Sequence, residues 1–260
     1  MNLRRVFLLR LGGALVPGAC ALAQSSPGKA PLRVAAASDM QFALKEIAKR
    51  FEAERGQAVL LQSGSSGNLA RQIMQGLMAD IFFSADESFA FALADAGLTQ
   101  GPGQRYASGR LAWLVASGSE QRPDARLAGL RAQMGAINRL SIANPEHAPY
   151  GRAAREALQR AGFWELVQPK LVLGENVAQA AQFVASGAAQ AGIVSLSLAR
   201  VPEVAKATRH ALVDEDLHVP LHQRLVILKN ALPAAQAFVD YIARPEMREL
   251  LRRHGLDDPR

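Results

Sequence analysis

Residues 31–88 read "PLRVAAASDMQFALKEIAKRFEAERGQAVLLQSGSSGNLARQIMQGLMADIFFSADES". The first eight, "PLRVAAAS", form a short apolar run suited to a buried strand. Leu44, Ile47, Ala48 and Phe51 then recur at i, i+3, i+4 and i+7, the spacing of one helix face. Ser38 opens that helix with Gln41 three residues on, the order of a capping box, and Gly56 stops it. "QAVLLQS" (57–63) reads as a second strand. Leu69, Ile73 and Leu77 mark a second helix behind the Gly/Ser turn at 64–67. "ADIFFSA" (79–85) is a third strand, and Asp86 stands where it can cap the helix that follows. Strand and helix alternating in this way predict a parallel sheet with helices on both faces.

The pattern continues outward. "RLAWLVAS" (110–117) is strand-like, and "RLSIAN" (139–144) starts a second series. A helix "GRAAREALQRAG", a strand "KLVLG", a helix "VAQAAQFVASG" and a strand "AGIVSLS" follow it. "VPLHQRLVIL" (219–228) is again a strand, and two helices close the chain, starting at Pro233 and Pro245. This order predicts an α/β chain of two lobes joined by crossing strands. Each lobe is a mostly parallel sheet flanked by helices, with a cleft between the lobes. Residues 31–108 and 216–260 are expected in lobe I and 109–215 in lobe II.

Composition narrows the function. The 260 residues are 49% hydrophobic and 20% charged, which is globular, with no repeat or low-complexity block. Residues 1–23 carry Arg4 and Arg5, an apolar stretch and a closing Ala21-Leu22-Ala23, and read as a signal peptide. "RRVFLL" leaves the Sec and twin-arginine routes both open. Without that segment the net charge falls from +7 to +4, and the only cysteine, Cys20, is gone. A disulfide or a thiolate metal site is thereby excluded from the mature chain. No Lys/Arg run points to nucleic acid. An exported chain without cysteine points to the periplasm.

Ligands of such sheets bind beyond the carboxyl ends of the strands, where loops meet helix N-termini. Four loops qualify: "AAASDM" (35–40), "SGSSGN" (63–68), "NPEHAPYG" (144–151) and "GENV" (174–177). Each offers backbone N–H groups at a helix mouth, which attract anions. Against this stand plain structural roles: Ser38 and Asn176 as caps, and Pro145 and Pro149 as loop stiffeners. A serine nucleophile lacks a G-x-S-x-G elbow. Of His147, His210, His218, His222 and His254, only His147 lies in a cleft loop, and each reads as an isolated surface histidine. There is no P-loop and no dinucleotide fingerprint.

Segments 34–52, 64–86, 144–158 and 174–194, in this order and spacing, resemble the periplasmic molybdate-binding proteins of ABC transporters. The resemblance spans roughly residues 31–256. It implies a type II periplasmic binding protein fold that closes on one tetrahedral oxyanion, molybdate or tungstate, and delivers it to an inner-membrane permease. It implies a non-enzymatic monomer without a cofactor, molybdenum arriving only as the oxyanion, with no direct protein ligands. Carried over by position, it implies hydroxyl and backbone N–H donors at Ser38 and Ser66, and backbone N–H donors at Tyr150 and Val177. Where some members have a Tyr after the "GIV" strand, this chain has Ser195, a shorter donor. The Tyr150 hydroxyl is therefore expected to replace the missing contact. Asp39, beside Ser38, is expected to point outward, away from a dianion. Another oxyanion such as sulfate and, more remotely, a serine hydrolase are the alternatives.

Overall fold

The computed structural model describes residues 29–260. The leader expected at 1–23 lies outside the described residues. The chain begins with β1 (Leu32–Ala37), a 3-10 turn at Ser38–Met40, α1 (Gln41–Arg55), β2 (Val59–Gly64), α2 (Ser66–Met74), β3 (Ile81–Ser84), α3 (Glu87–Asp95) and β4 (Gln104–Gly109). The middle holds β5 (Leu111–Ala116), α4 (Gly129–Gln133), β6 (Leu140–Ala143), α5 (Pro149–Arg160), α6 (Trp164–Val167), β7 (Leu171–Gly174), α7 (Val177–Ala185), β8 (Ala191–Ser195), α8 (Leu196–Ala199), α9 (Pro202–Ala207) and β9 (Thr208–Leu212). The chain then returns through β10 (Leu221–Ile227), α10 (Ala234–Ile242) and α11 (Pro245–Arg253).

Two five-stranded sheets result, ordered β2-β1-β3-β10-β4 and β7-β6-β8-β5-β9. In the first, β1 runs parallel to β2 and β3, while β10 is antiparallel to β3 and β4. In the second, β6 runs parallel to β7 and β8, while β5 is antiparallel to β8 and β9. Each sheet is thus four strands running one way plus one reversed strand, β10 or β5, that has just arrived from the other sheet. That crossing strand makes two α/β units into one two-lobed molecule.

Burial explains the apolar runs. In β1, Val34 and Ala36 join the cluster of Leu44, Phe51 and Phe238, while Ala35 joins Leu69, Phe82 and Val226 on the opposite face. Side chains alternate across a strand, so helices on both faces demand apolar residues at every position. Phe51 meets Phe238 edge to face at 5.0 Å and so packs α1 on the returning α10. The second lobe is built around Trp113, fully buried on β5.

Several local expectations need correction. Ser38 makes no capping box: it starts a 3-10 turn, and no side chain caps that turn or α1. Its hydroxyl oxygen accepts instead from a backbone N–H of the other lobe, described below. Gly56 does end α1, in the left-handed region at φ 61°. Asp86 does cap α3, accepting from the Ser88 N–H at 2.7 Å. Pro233 is the N-cap of α10 and lies outside its first turn. Strands β4 and β9 were not legible, because "QRYASG" and "TRHAL" carry too few large apolar residues. His218 is buried, not superficial, and its Nδ1 lies 2.8 Å from the Val219 carbonyl oxygen.

Candidate anion site between the sheets

A small cavity, about 10 Å³ for a water-sized probe, lies where the two lobes meet. Lobe I lines it with Ala37, Ser38 and Asp39 at the end of β1, Gly64, Ser65 and Ser66 at the end of β2, and Ala85 after β3. The second lobe contributes Ala148, Pro149 and Tyr150 at α5 and Val177 at α7. All four loops singled out in the sequence therefore converge. Their convergence follows from the topology, since each leaves the carboxyl end of a parallel strand.

The local chemistry leaves donors free. Ser66 is the first residue of α2. Its hydroxyl oxygen accepts the Ala85 N–H at 3.0 Å, so its own proton remains to be donated. Ser38 is handled the same way across the lobes, where its hydroxyl oxygen accepts the Ala178 N–H at 3.3 Å. At α7, the Asn176 side chain accepts from Ala178 and Gln179, which leaves the N–H of Val177, the first helical residue, without a capping acceptor. In α5 the first residue, Pro149, has no N–H, so Tyr150 presents the leading donor of that helix. Such helix mouths carry partial positive charge. None of the lining residues is Lys or Arg.

Asp39 contradicts the outward expectation. It is 2% exposed, lines the cavity, and its Oδ2 accepts from the Tyr150 hydroxyl at 3.0 Å and from Gln223 Nε2 at 2.6 Å. Gln223 Nε2 also lies 3.0 Å from the Tyr150 oxygen. The Tyr150 hydroxyl proton is thus directed at Asp39, which corrects the idea that it takes over the contact missing at Ser195. Burial pushes the Asp39 carboxyl up to about 6, against the lowering effect of Gln223 and Tyr150. Burial, with the Asp39 charge behind it, pushes the Tyr150 hydroxyl far above its usual range.

Ser195 does not join the lining residues. It caps α8, where its hydroxyl oxygen accepts from Ser197 Oγ at 2.9 Å and from the Leu198 N–H at 3.4 Å.

Contacts around the cavity join the lobes. The Gly67 N–H donates to the His147 carbonyl at 2.9 Å, and Ser65 Oγ shares a hydrogen bond with His147 Nδ1 at 2.8 Å. Asn68 donates to Glu175, and Arg152 pairs with Asp86. Burial would raise the Asp86 carboxyl, but Arg152 and Ser88 outweigh it and hold it below its usual range. Sequence reasoning missed Ser65, His147 and Gln223 as partners. Only the His147 loop carried a signal, its place among the four cleft loops.

A family model described as bacterial extracellular solute-binding protein matches residues 32–257. The molybdate-binding protein ModA of Azotobacter vinelandii is 37% identical over 254 residues, spanning 95% of this chain and 97% of that protein. ModA of Escherichia coli (strain K12) is 31% identical, spanning 97% of this chain and 98% of that protein. Among solved structures, the periplasmic molybdate-binding protein of Azotobacter vinelandii matches with a TM-score of 0.81 at 28% identity, over 88% of this chain and 100% of that one. The sulfate-binding protein SubI from Mycobacterium tuberculosis H37Rv matches with a TM-score of 0.73 at 16% identity, over 88% of this chain and 86% of that one, a likeness of fold alone.

Proposed function

The chain belongs to the bacterial extracellular solute-binding proteins, among the molybdate-binding proteins, and from that premise we propose that it captures molybdate, and tungstate with it, for an ABC importer. We assign the anion to the cavity between the sheets. The donors are the hydroxyl and N–H groups of Ser38 and Ser66 and the N–H groups of Tyr150 and Val177. Residues 31–108 with 216–260 act as one closing lobe and 109–215 as the other. The protein is exported through its N-terminal segment and works as a monomer facing the inner-membrane permease.

One observation carries this reading. The hydroxyl oxygens of Ser38 and Ser66 are each occupied by a backbone N–H, so both hydroxyl protons are left for a ligand that only accepts. Hydrogen bonds to a charged group are worth ~1.5–3 kcal/mol each, so six give on the order of 10 kcal/mol before the cost of closure. Micromolar binding needs only about 8 kcal/mol. Neutral donors therefore suffice for a dianion. Selection against sulfate, with the same charge and a smaller radius, then rests on cavity size.

Calorimetry of the mature protein with molybdate, tungstate, sulfate and phosphate tests the proposal. Heat with molybdate and tungstate, and much less with the other two, is the expected result. No heat with either metal oxyanion sinks it, and sulfate binding as tightly as molybdate replaces it with a general oxyanion role.

The Ser65–His147 hydrogen bond, with Glu175 3.7 Å from His147 Nε2, favours a hydrolase as the second reading. The pair spans the two lobes, so opening to admit an ester would separate nucleophile from base. Ester turnover lost on Ser65→Ala would support that reading.

A further inference from the structure

Asp39 is a carboxyl group buried at the wall of a cavity otherwise built from neutral donors. Its two oxygens differ. Oδ2 accepts from Tyr150 and Gln223, while Oδ1 is buried without a hydrogen-bond partner among the described residues. A proton placed on Oδ1 would leave both bonds to Oδ2 intact. An ionised Asp39 would leave a negative charge unpaired and out of water next to a bound dianion, which burial and like charge both oppose.

No cation among the described residues offsets that charge. Among the described residues Asp39 has no ion pair with Lys, Arg or His. The groups acting on it are Gln223 on β10, Tyr150 on α5, Tyr106 on β4 and, more weakly, the backbone N–H groups of Asp39 and Met40, and burial with the Asp39 charge keeps both tyrosines neutral. Helices α7 and α8, which pack against the Ser38–Met40 turn, carry no titratable residue in "VAQAAQFVA" and "LSLA". The bond from Tyr150 crosses between the lobes, so the environment of Asp39 is completed only when they meet.

We propose that the lobes close on an oxyanion and a proton together, the proton residing on Asp39 Oδ1. This rests on the oxyanion reading of the cavity. The step balances simply: an open protein with Asp39 ionised, plus one dianion and one proton from solvent, gives a closed complex with Asp39 neutral. In the lobe-open state water can reach the carboxylate and its affinity for the proton is ordinary. Closure over the dianion raises that affinity. Anion binding therefore strengthens as pH falls toward 6, and the site releases its proton with its anion when the lobes part.

Molybdate titrations at pH 6.5 in two buffers of different ionisation enthalpy test this. The wild-type binding enthalpy is expected to shift with the buffer by about half a proton or more taken up per anion, and Asp39→Asn is expected to bind with almost no buffer dependence. Equal wild-type enthalpies in the two buffers, with molybdate still bound, overturn the proton coupling and leave the oxyanion reading standing. No molybdate heat at all overturns that reading itself. Proton uptake undiminished in Asp39→Asn assigns the proton to another group, with His147 in the closure contacts, and also overturns the proposal. If Asp39→Asn fails to fold, Tyr150→Phe substitutes for it. Loss of one hydrogen bond to ionised Asp39 should then increase the uptake at pH 7, and an unchanged uptake overturns the assignment.

Discussion

The backbone N–H of Gly67 donates to the carbonyl oxygen of His147 at 2.9 Å, so the first turn of α2 lies against the loop leading into α5 of the other lobe. A Cβ at position 67 would stand 2.7 Å from that oxygen and 3.1 Å from the His147 Cα. The glycine matters for this approach, since its own φ is not in the left-handed region. Gly67→Ala should leave the isolated lobes folded, with the melting temperature of the ligand-free protein within a few degrees of wild type. It should weaken molybdate binding by about tenfold or more, because the closed state must shift backbone against backbone. Calorimetry and thermal melts on one preparation check both halves.

Ser66→Ala and Ser38→Ala remove hydroxyl donors whose oxygens also hold the Ala85 and Ala178 N–H groups. Each should cost about 1.5–3 kcal/mol of binding, or roughly 10- to 150-fold in Kd. Ser195→Ala should change molybdate affinity less than about threefold, since Ser195 does not line the cavity. A Ser195→Ala loss as large as that of Ser66→Ala would put Ser195 back into the site.

Among the described residues, Tyr150→Phe removes the only inter-lobe donor to Asp39 that a side chain supplies. Its backbone N–H, the proposed anion donor, remains. The variant should bind molybdate about three- to thirtyfold more weakly at pH 7.5, less than the loss of a direct ligand contact, and should recover part of the deficit at pH 6 as Asp39 becomes neutral. Kd measured at the two pH values decides it.

Glu87, at the start of α3, holds Arg105 of β4 and Arg224 of the crossing strand β10, at 2.8 and 3.2 Å. The Arg105 hydrogen bond, then Arg224, bring its carboxyl down to about 2. A carboxyl lowered by folding stabilises above its ordinary range near 4.5, and that stabilisation is lost as pH falls from there toward 2. Wild type should therefore lose more melting temperature than Glu87→Gln between pH 5 and pH 3, the two curves converging in acid. Parallel curves would mean the clamp contributes nothing.

The alternation of strands and helices, the four cleft loops and the caps at Asp86 and Asn176 were legible in the sequence. They are consequences of periodicity and of short-range hydrogen bonding, which neighbours along the chain decide. Strands β4 and β9 were not, because small and polar residues become strands only when a neighbouring strand supplies their partners. The site divides along the same line. Ser38, Ser66, Tyr150 and Val177 could be singled out because a helix mouth after a parallel strand is a local feature, and all four line the cavity, whereas Ser195 caps α8 and does not line it. The orientation of Asp39, the use of the Tyr150 hydroxyl and the pairing of Ser65 with His147 depend on residues 82 to 184 positions apart. Sequence alone determined which donors could face an anion. Only the meeting of the two lobes decided which hydroxyls stay free and put a buried carboxyl beside them, because hydrogen-bond partners and desolvation come from whatever the fold brings near.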